Sequence, residues 1–378
     1  MPADPRERST DALTAAFAGG ADGTDHRRLR DLPLRSYRPR PALVRHRTEV
    51  PRPPVAAIDV HNHLGRWLSD DGSWLVPDVD DLLRLMDDVG VERVVNLDGR
   101  WGAELEANLD RYDRAHPGRF ATFCHVDWQR LAEGDDGAGL VAQVDAAVAA
   151  GARGLKIWKD LGLTVRDAEG ALVLPDDERV VAVVRRAGEH GVPVLVHTAD
   201  PVAFFAPLDE HNERLEELTD FPGWWFGDRS RYPSFERLLA ALDGLVAAAP
   251  DTPIIGAHVG CHAEDLGAVG AMMAAHENFH VDLGSRLAEL GRQPRAFARL
   301  VAEHPDRVLF GTDAFPPDAG SFRNLYRFLE TEDEHWPYEG PDDGDEPGHQ
   351  GRWRVSGAHL DPHLLAAVYR DNALRLGL

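Results

Sequence analysis

The chain is expected to fold in the α/β class, as a (β/α)8 TIM barrel carrying long insertions. Three observations predict this. Eight short apolar runs alternate with segments of helical periodicity from Val55 onward. Such alternation implies a parallel sheet, and eight units in roughly 320 residues suit a closed barrel. Several of the apolar runs end in His or Asp, at the strand ends where a parallel barrel builds its site. An open doubly wound sheet would need a glycine-rich phosphate loop after the first strand, where this chain has His61-Asn62-His63-Leu64-Gly65.

The elements follow in order. Residues 1–50 are rich in Arg, Pro, Ala and Gly and read as an extended arm, with one short helix at Thr10–Phe17. The barrel domain is expected over 51–378. Its strands are Ala56–Leu64, Arg93–Leu97, Phe120–Val126, Gly154–Trp158, Val194–His197, Pro253–His258, His280–Leu283 and Arg307–Gly311. The intervening helices are Asp78–Val89, Ala103–Ala115, Leu140–Ala150, Asp176–His190, Ser234–Ala249, Glu264–His276 and Pro294–Glu303, and Asp361–Leu376 closes the chain. Gly151 and Gly191 stop two of these helices.

Two long inserts leave strand ends, at about residues 198–233 and 314–357. Segments this long are uncommon unless functional or disordered. Their aromatic anchors, among them Phe204, Trp224, Phe322 and Trp336, argue for order, and Ser321–Glu334 reads as a helix. The inserts are expected to form a partial lid over the barrel mouth.

Charge and cysteine content narrow the function classes. Lys and Arg number 41 against 64 Asp and Glu, a formal charge of −23, which opposes binding to nucleic acid or to an anionic membrane. Cys124 and Cys261 are the two cysteines, so a disulfide framework is not expected and a reducing cytoplasm is. No apolar run approaches the roughly 20 residues needed to span a bilayer. The first residues lack the basic-then-apolar order of a secretory signal.

The chemistry begins at His61 and His63. Residues i and i+2 of a strand share a face, so the two imidazoles project together and supply half of a divalent metal site. His197 ends the fifth strand, His258 the sixth, and Asp313 follows the eighth in Gly311-Thr312-Asp313. Five such groups at one end of successive strands are hard to assign to core packing, because each would need a buried partner. Lys156 and Trp158 alternate with Leu155 and Ile157 and should face the barrel interior. Arg286, after the seventh strand, is placed to grip a carboxylate through paired hydrogen bonds, and Trp67 and Trp158 can line an apolar pocket.

Asp-x-His-x-His after the first strand, the histidines after strands five and six, and Gly-Thr-Asp after strand eight resemble the amidohydrolase superfamily. The closing Val368-Tyr369-Arg370-Asp371-Asn372 is similar to the terminal helix of its amidohydrolase-related branch, which includes aminocarboxymuconate semialdehyde decarboxylase, aromatic acid decarboxylases and lactonases. The resemblance covers about Pro54 to the C-terminus. It implies one divalent ion, zinc or alternatively manganese, on His61, His63, His197 and Asp313. It further implies that His258 moves a proton, with Asp313 able to share that work. Lys156 matches a lysine that is carbamylated in binuclear relatives, but the one-metal branch implies a plain cation touching substrate or Asp313.

The expected function is hydrolysis of a small carboxylate-bearing amide, lactone or ester by a metal-activated water. The alternatives are non-oxidative decarboxylation of an aromatic or unsaturated acid and a catalytically idle metal-binding scaffold. Family analogy adds a homodimer.

Overall fold

The computed structural model describes residues 31–33, 36–37, 42–338 and 350–378. The helix expected at Thr10–Phe17 lies outside them. Val44–Leu378 forms one compact unit.

Eight parallel strands run in sequence order around a barrel: β1 Ala57–Asn62, β2 Val91–Asn96, β3 Phe120–Cys124, β4 Gly154–Ile157, β5 Val194–Val196, β6 Ile254–Gly256, β7 Phe279–Asp282 and β8 Val308–Leu309. Backbone bonds from Val60 N to Phe310 O and from Asp313 N to His61 O, 3.0 and 2.8 Å, bring the last strand against the first. Ile58, Val60, Val95, Leu97, Phe123, Leu195, Ile255 and Leu309 fill the interior. A larger apolar layer packs the outer strand faces against the helices.

The helices form where periodicity and caps agree. Asp78 accepts hydrogen bonds from Asp80 N and Asp81 N at the start of Val79–Val89, and Gly90, at φ 79°, takes the left-handed turn that ends it. Ser234 and Asp318 cap Phe235–Ala248 and Ala319–Glu330 in the same way. Two expected helices are interrupted. The second breaks into Gly102–Leu109 and a π-turn at Asp110–Arg114, and the last contains a π-turn at Ala367–Asp371. The insert helix ends at Glu330 instead of Glu334, because Thr331 is extended. Among the described residues no helix is long and apolar enough to cross a membrane.

Alternation along β1 is broken by a bulge. Asp59 pairs with Val94 and Asn62 with Asn96, so three steps on β1 face two on β2. An extra residue shifts the pleat by one position and re-aims the side chains beyond it. Ile58 and Val60 therefore point into the barrel, and His61 and His63 do so as well.

Candidate functional site

The ends of β1 and β8 are joined through Asp59. Its carboxylate accepts hydrogen bonds from Thr312 N (3.0 Å), Thr312 Oγ1 (2.6 Å), His61 N (3.1 Å) and Asn62 Nδ2 (3.0 Å). Burial pushes the Asp59 pKa up to about 6, against the pull of these donors. This network fixes Asp313 opposite the two histidines. Asp313 Oδ1 lies 3.5 Å from His61 Nε2 and 3.5 Å from His63 Nε2, and its Oδ2 accepts from Ser285 Oγ at 2.8 Å.

Three histidines are each backed by a carboxylate. His61 Nδ1 is 2.9 Å from Asp282 Oδ2, His63 Nδ1 is 2.6 Å from Asp98 Oδ1, and His197 Nε2 is 3.3 Å from Asp200 Oδ1. A carboxylate on one ring nitrogen holds the proton there and leaves the other as a lone pair, the usual arrangement behind a metal-binding imidazole. The opposite nitrogens, His61 Nε2 and His197 Nδ1, are buried without a hydrogen-bond partner among the described residues. Orphaned buried nitrogens of this kind call for a partner. Burial holds His197 down at about 3, so the ring is neutral at working pH.

His258 is held differently. Its Nδ1 faces the carbonyl oxygen of Gly284 at 2.8 Å, so it donates there and keeps its lone pair on Nε2. Burial, followed by the charge of Arg286, keeps its pKa well below the ordinary histidine value. Its ring centre is 4.8 Å from that of His61 and 4.4 Å from that of His197. Donor atoms of His61, His258 and Asp313 all lie within 4.8 Å of one another, a set able to hold a metal ion.

The expected strand through His258 stops at Gly256, and the chain turns left-handed at His258 and Val259, φ 57° and 60°. Asp282 Oδ1 accepts from His258 N and from Gly284 N and stabilises that turn. Ser285 and Asp313 are left-handed as well, φ 51° and 55°. Such conformations cost of order 1–3 kcal/mol each and gather where geometry serves function.

The sequence model of the amidohydrolase family matches residues 58–376. The chain belongs to the amidohydrolase family. No curated protein matches it. Among solved structures it is similar to 2,6-dihydroxybenzoate decarboxylase from Rhizobium, at 15% identity and TM-score 0.55, covering 85% of this chain and 98% of that one. A 5-carboxyvanillate decarboxylase from Sphingomonas paucimobilis is 13% identical at TM-score 0.51, with 85% and 98% covered. An amidohydrolase from Burkholderia multivorans with bound zinc is 15% identical at TM-score 0.51, with 86% and 100% covered. At these identities the likeness is one of fold.

This amidohydrolase-family chain opens above the site into a cavity of about 1210 Å³, lined by His61, His63, Trp158, His197, His258 and Asp313 at its floor. Both inserts supply walls, the first with Phe204 and Trp224 and the second with Phe315, Arg323 and Tyr338. His61 and His63 are buried, in keeping with a partial lid. Residues 339–349 of the second insert lie outside the described ones.

The remaining expected contacts divide. Arg286 lines the cavity, is 6% exposed, and donates to Ser285 O at 2.8 Å, with no carboxylate among the described residues in ion-pair reach. Trp158 lines it edge-on to His63 at 5.7 Å. Lys156 is fully buried, is not among the lining residues, and its Nζ has no hydrogen-bond partner among the described residues. Burial pushes its pKa down to about 8, while Asp282 and Asp313 pull it back up. Trp67 stands one layer behind the wall, donating to Asp98 Oδ1 at 2.6 Å and meeting Trp158 edge-on at 4.9 Å.

Asp98, Asp200 and Asp282 escaped the sequence reading. An acid at the end of an apolar run was the available signal, and Asp98 and Asp282 both carry it. A methyl group at Gly65 would overlap Asp98 Cβ. Gly65→Ala is therefore expected to cost about 1–3 kcal/mol of stability, as core overpacking does. It should also weaken any metal site that uses His63, since Asp98 holds that ring. Thermal unfolding and metal analysis of the variant check this.

Proposed function

We propose that the chain is a metal-dependent decarboxylase acting non-oxidatively on an aromatic carboxylic acid. Arg286 carries this reading. A buried guanidinium without a counter-charge is costly, and a bound carboxylate would satisfy it through paired, charge-assisted hydrogen bonds. Trp158 and Phe315 stand edge-on to His63 at 5.7 and 5.4 Å and offer apolar walls for a ring. Two decarboxylases of similar fold are named for aromatic acids, 2,6-dihydroxybenzoate and 5-carboxyvanillate. The sequence alone ranked hydrolysis first; the aromatic cavity and these structures favour decarboxylation.

His61, His63, His197 and Asp313 would hold one divalent ion. The orphaned nitrogens of His61 and His197 fit that role. Zinc suits the mixed nitrogen and oxygen donors, and manganese is compatible with them. The ion would supply Lewis-acid stabilisation of negative charge on the substrate's oxygen atoms.

The side chains do the rest. Arg286 orients the carboxylate, and the aromatic walls exclude water. The bond from ring carbon to carboxylate breaks, carbon dioxide leaves, and the electron pair remains on the ring carbon. That carbon takes a proton from His258 Nε2, which has first collected it from solvent. A depressed pKa makes the protonated imidazole a strong acid, as protonation of carbon requires.

Hydrolysis of an amide, lactone or ester is the second reading. The resting neutral state of His258 favours it, since a free lone pair on Nε2 can accept a proton from water.

The test is a screen of hydroxylated benzoic acids and carboxylated lactones with zinc- or manganese-loaded protein in labelled water. Carbon dioxide release with one solvent deuterium on the ring is expected. Labelled oxygen in the product without carbon dioxide would establish hydrolysis instead. In the same assay Arg286→Met should raise KM about 10–100-fold, the loss expected for a charged hydrogen bond of about 1.5–3 kcal/mol. An unchanged KM would remove Arg286 from carboxylate recognition.

A further inference from the structure

We propose that Lys159 is a second anion-binding group of the cavity, so that the substrate is an aromatic acid bearing another oxyanion, a carboxylate or a phenolate. This rests on the aromatic-acid reading and adds the substituent pattern.

Lys159 follows Trp158 at the end of β4 and lines the cavity. Its Nζ is 2.6 Å from Asp200 Oδ2, and its side chain is 19% exposed. An ammonium has three donors, and that contact uses one. The amine sits 5.7 Å from the ring centre of Trp158 and 5.9 Å from those of Trp224 and Phe226. Trp158 is thus shared: its ring meets His63 and His197 edge-on and also carries Lys159. A substrate ring lying against Trp158 beside the histidines places a substituent within reach of the ammonium. Arg214, another cavity cation, is more fully engaged, buried between Glu217 and Glu289.

Asp200 makes the arrangement more than a wall contact. Its second oxygen is the one that holds His197 Nε2 at 3.3 Å. One carboxylate therefore joins the anion-binding lysine to a candidate metal ligand. Within the Lys159–Asp200 pair the hydrogen bond to His197 belongs to Asp200, so the two members should fail differently when replaced.

The experiment uses zinc-loaded full-length protein and two probes, benzoate and isophthalate (benzene-1,3-dicarboxylate), with binding measured by calorimetry. Wild type is expected to bind isophthalate at least about tenfold more tightly, the range for one charged contact. Lys159→Met should shrink that ratio to within about twofold, and Lys159→Arg should keep most of it. Asp200→Asn should lose zinc to a competing chelator about 10–100-fold more readily, as expected when the carboxylate behind a metal-binding histidine is removed. Lys159→Met should retain zinc. No isophthalate preference in wild type, or an undiminished preference in Lys159→Met, would overturn the proposal. So would zinc loss in both variants, the mark of a purely structural ion pair. Because the probes report binding without reaction, a lysine-dependent preference in a protein that releases no carbon dioxide would leave the subsite standing while the decarboxylase reading falls.

Discussion

His258→Asn is expected to keep its metal and to lose about 10²–10⁴-fold in turnover, the usual contribution of a positioned acid or base. Asparagine suits the position for two reasons. It tolerates the left-handed backbone that His258 adopts at φ 57° better than most residues do. Its side-chain amide can also donate to Gly284 O, the acceptor that His258 Nδ1 uses now. What it cannot do is carry a proton to or from the cavity. The result also decides how the site is divided. His258 Nδ1 has a carbonyl behind it, whereas His61, His63 and His197 have carboxylates. Yet a donor atom of His258 lies within 4.8 Å of His61 and Asp313. If elemental analysis shows that His258→Asn has lost its metal, His258 is a ligand and proton transfer belongs elsewhere. If metal stays and turnover stays, His258 has no part in the reaction.

Asp282→Asn should reduce metal affinity about 10–100-fold, although the replacement is nearly isosteric. Asp282 is fully buried and uses both oxygens. Oδ2 receives the His61 Nδ1 proton, and Oδ1 receives His258 N and Gly284 N. Burial alone would raise its pKa, but its interactions with His61 and with the N–H groups of His258 and Gly284 outweigh that and hold it below the usual range. An asparagine must turn its NH2 toward one of these two groups. Toward His61, it forces the proton from Nδ1 to Nε2 and removes the lone pair that a metal needs. Toward His258, it meets two N–H donors and undoes the left-handed turn. Competition with a chelator measures the effect on the unreacted protein. Retention equal to wild type would show that Asp282 does not set the His61 tautomer.

Much of the site was legible because strands write their faces into the sequence. His61 and His63 at spacing two, His197 closing Val194-Leu195-Val196, and Thr312-Asp313 after an apolar run each mark a strand end, and the structure brings these groups together around one cavity floor. Arg286 and Trp158 fell on that cavity for the same reason. Lys156 and Trp67 did not, since periodicity gives a side chain's face but not its depth. Both inserts were visible as long connections with aromatic anchors, and Trp336, Phe322 and Phe328 are indeed buried. Their residues on the cavity wall, such as Phe315 and Arg323, carried no local signal.

The alternation of apolar and helical segments, a property of neighbours along the chain, was enough to specify eight parallel strands in order and the end at which the histidines emerge. Pairings across the barrel are a different matter. His61 meets Asp282 across 221 residues, and Asp59 meets Thr312 across 253. The β1 bulge is a relation between two strands and has no mark in either one alone. Each imidazole offers a lone pair to the cavity because an acceptor behind it, carboxylate or carbonyl, takes the ring proton. For His61, His63 and His258 that partner is supplied by another strand end, so only the closed barrel decides it; for His197 it is Asp200, three residues further on.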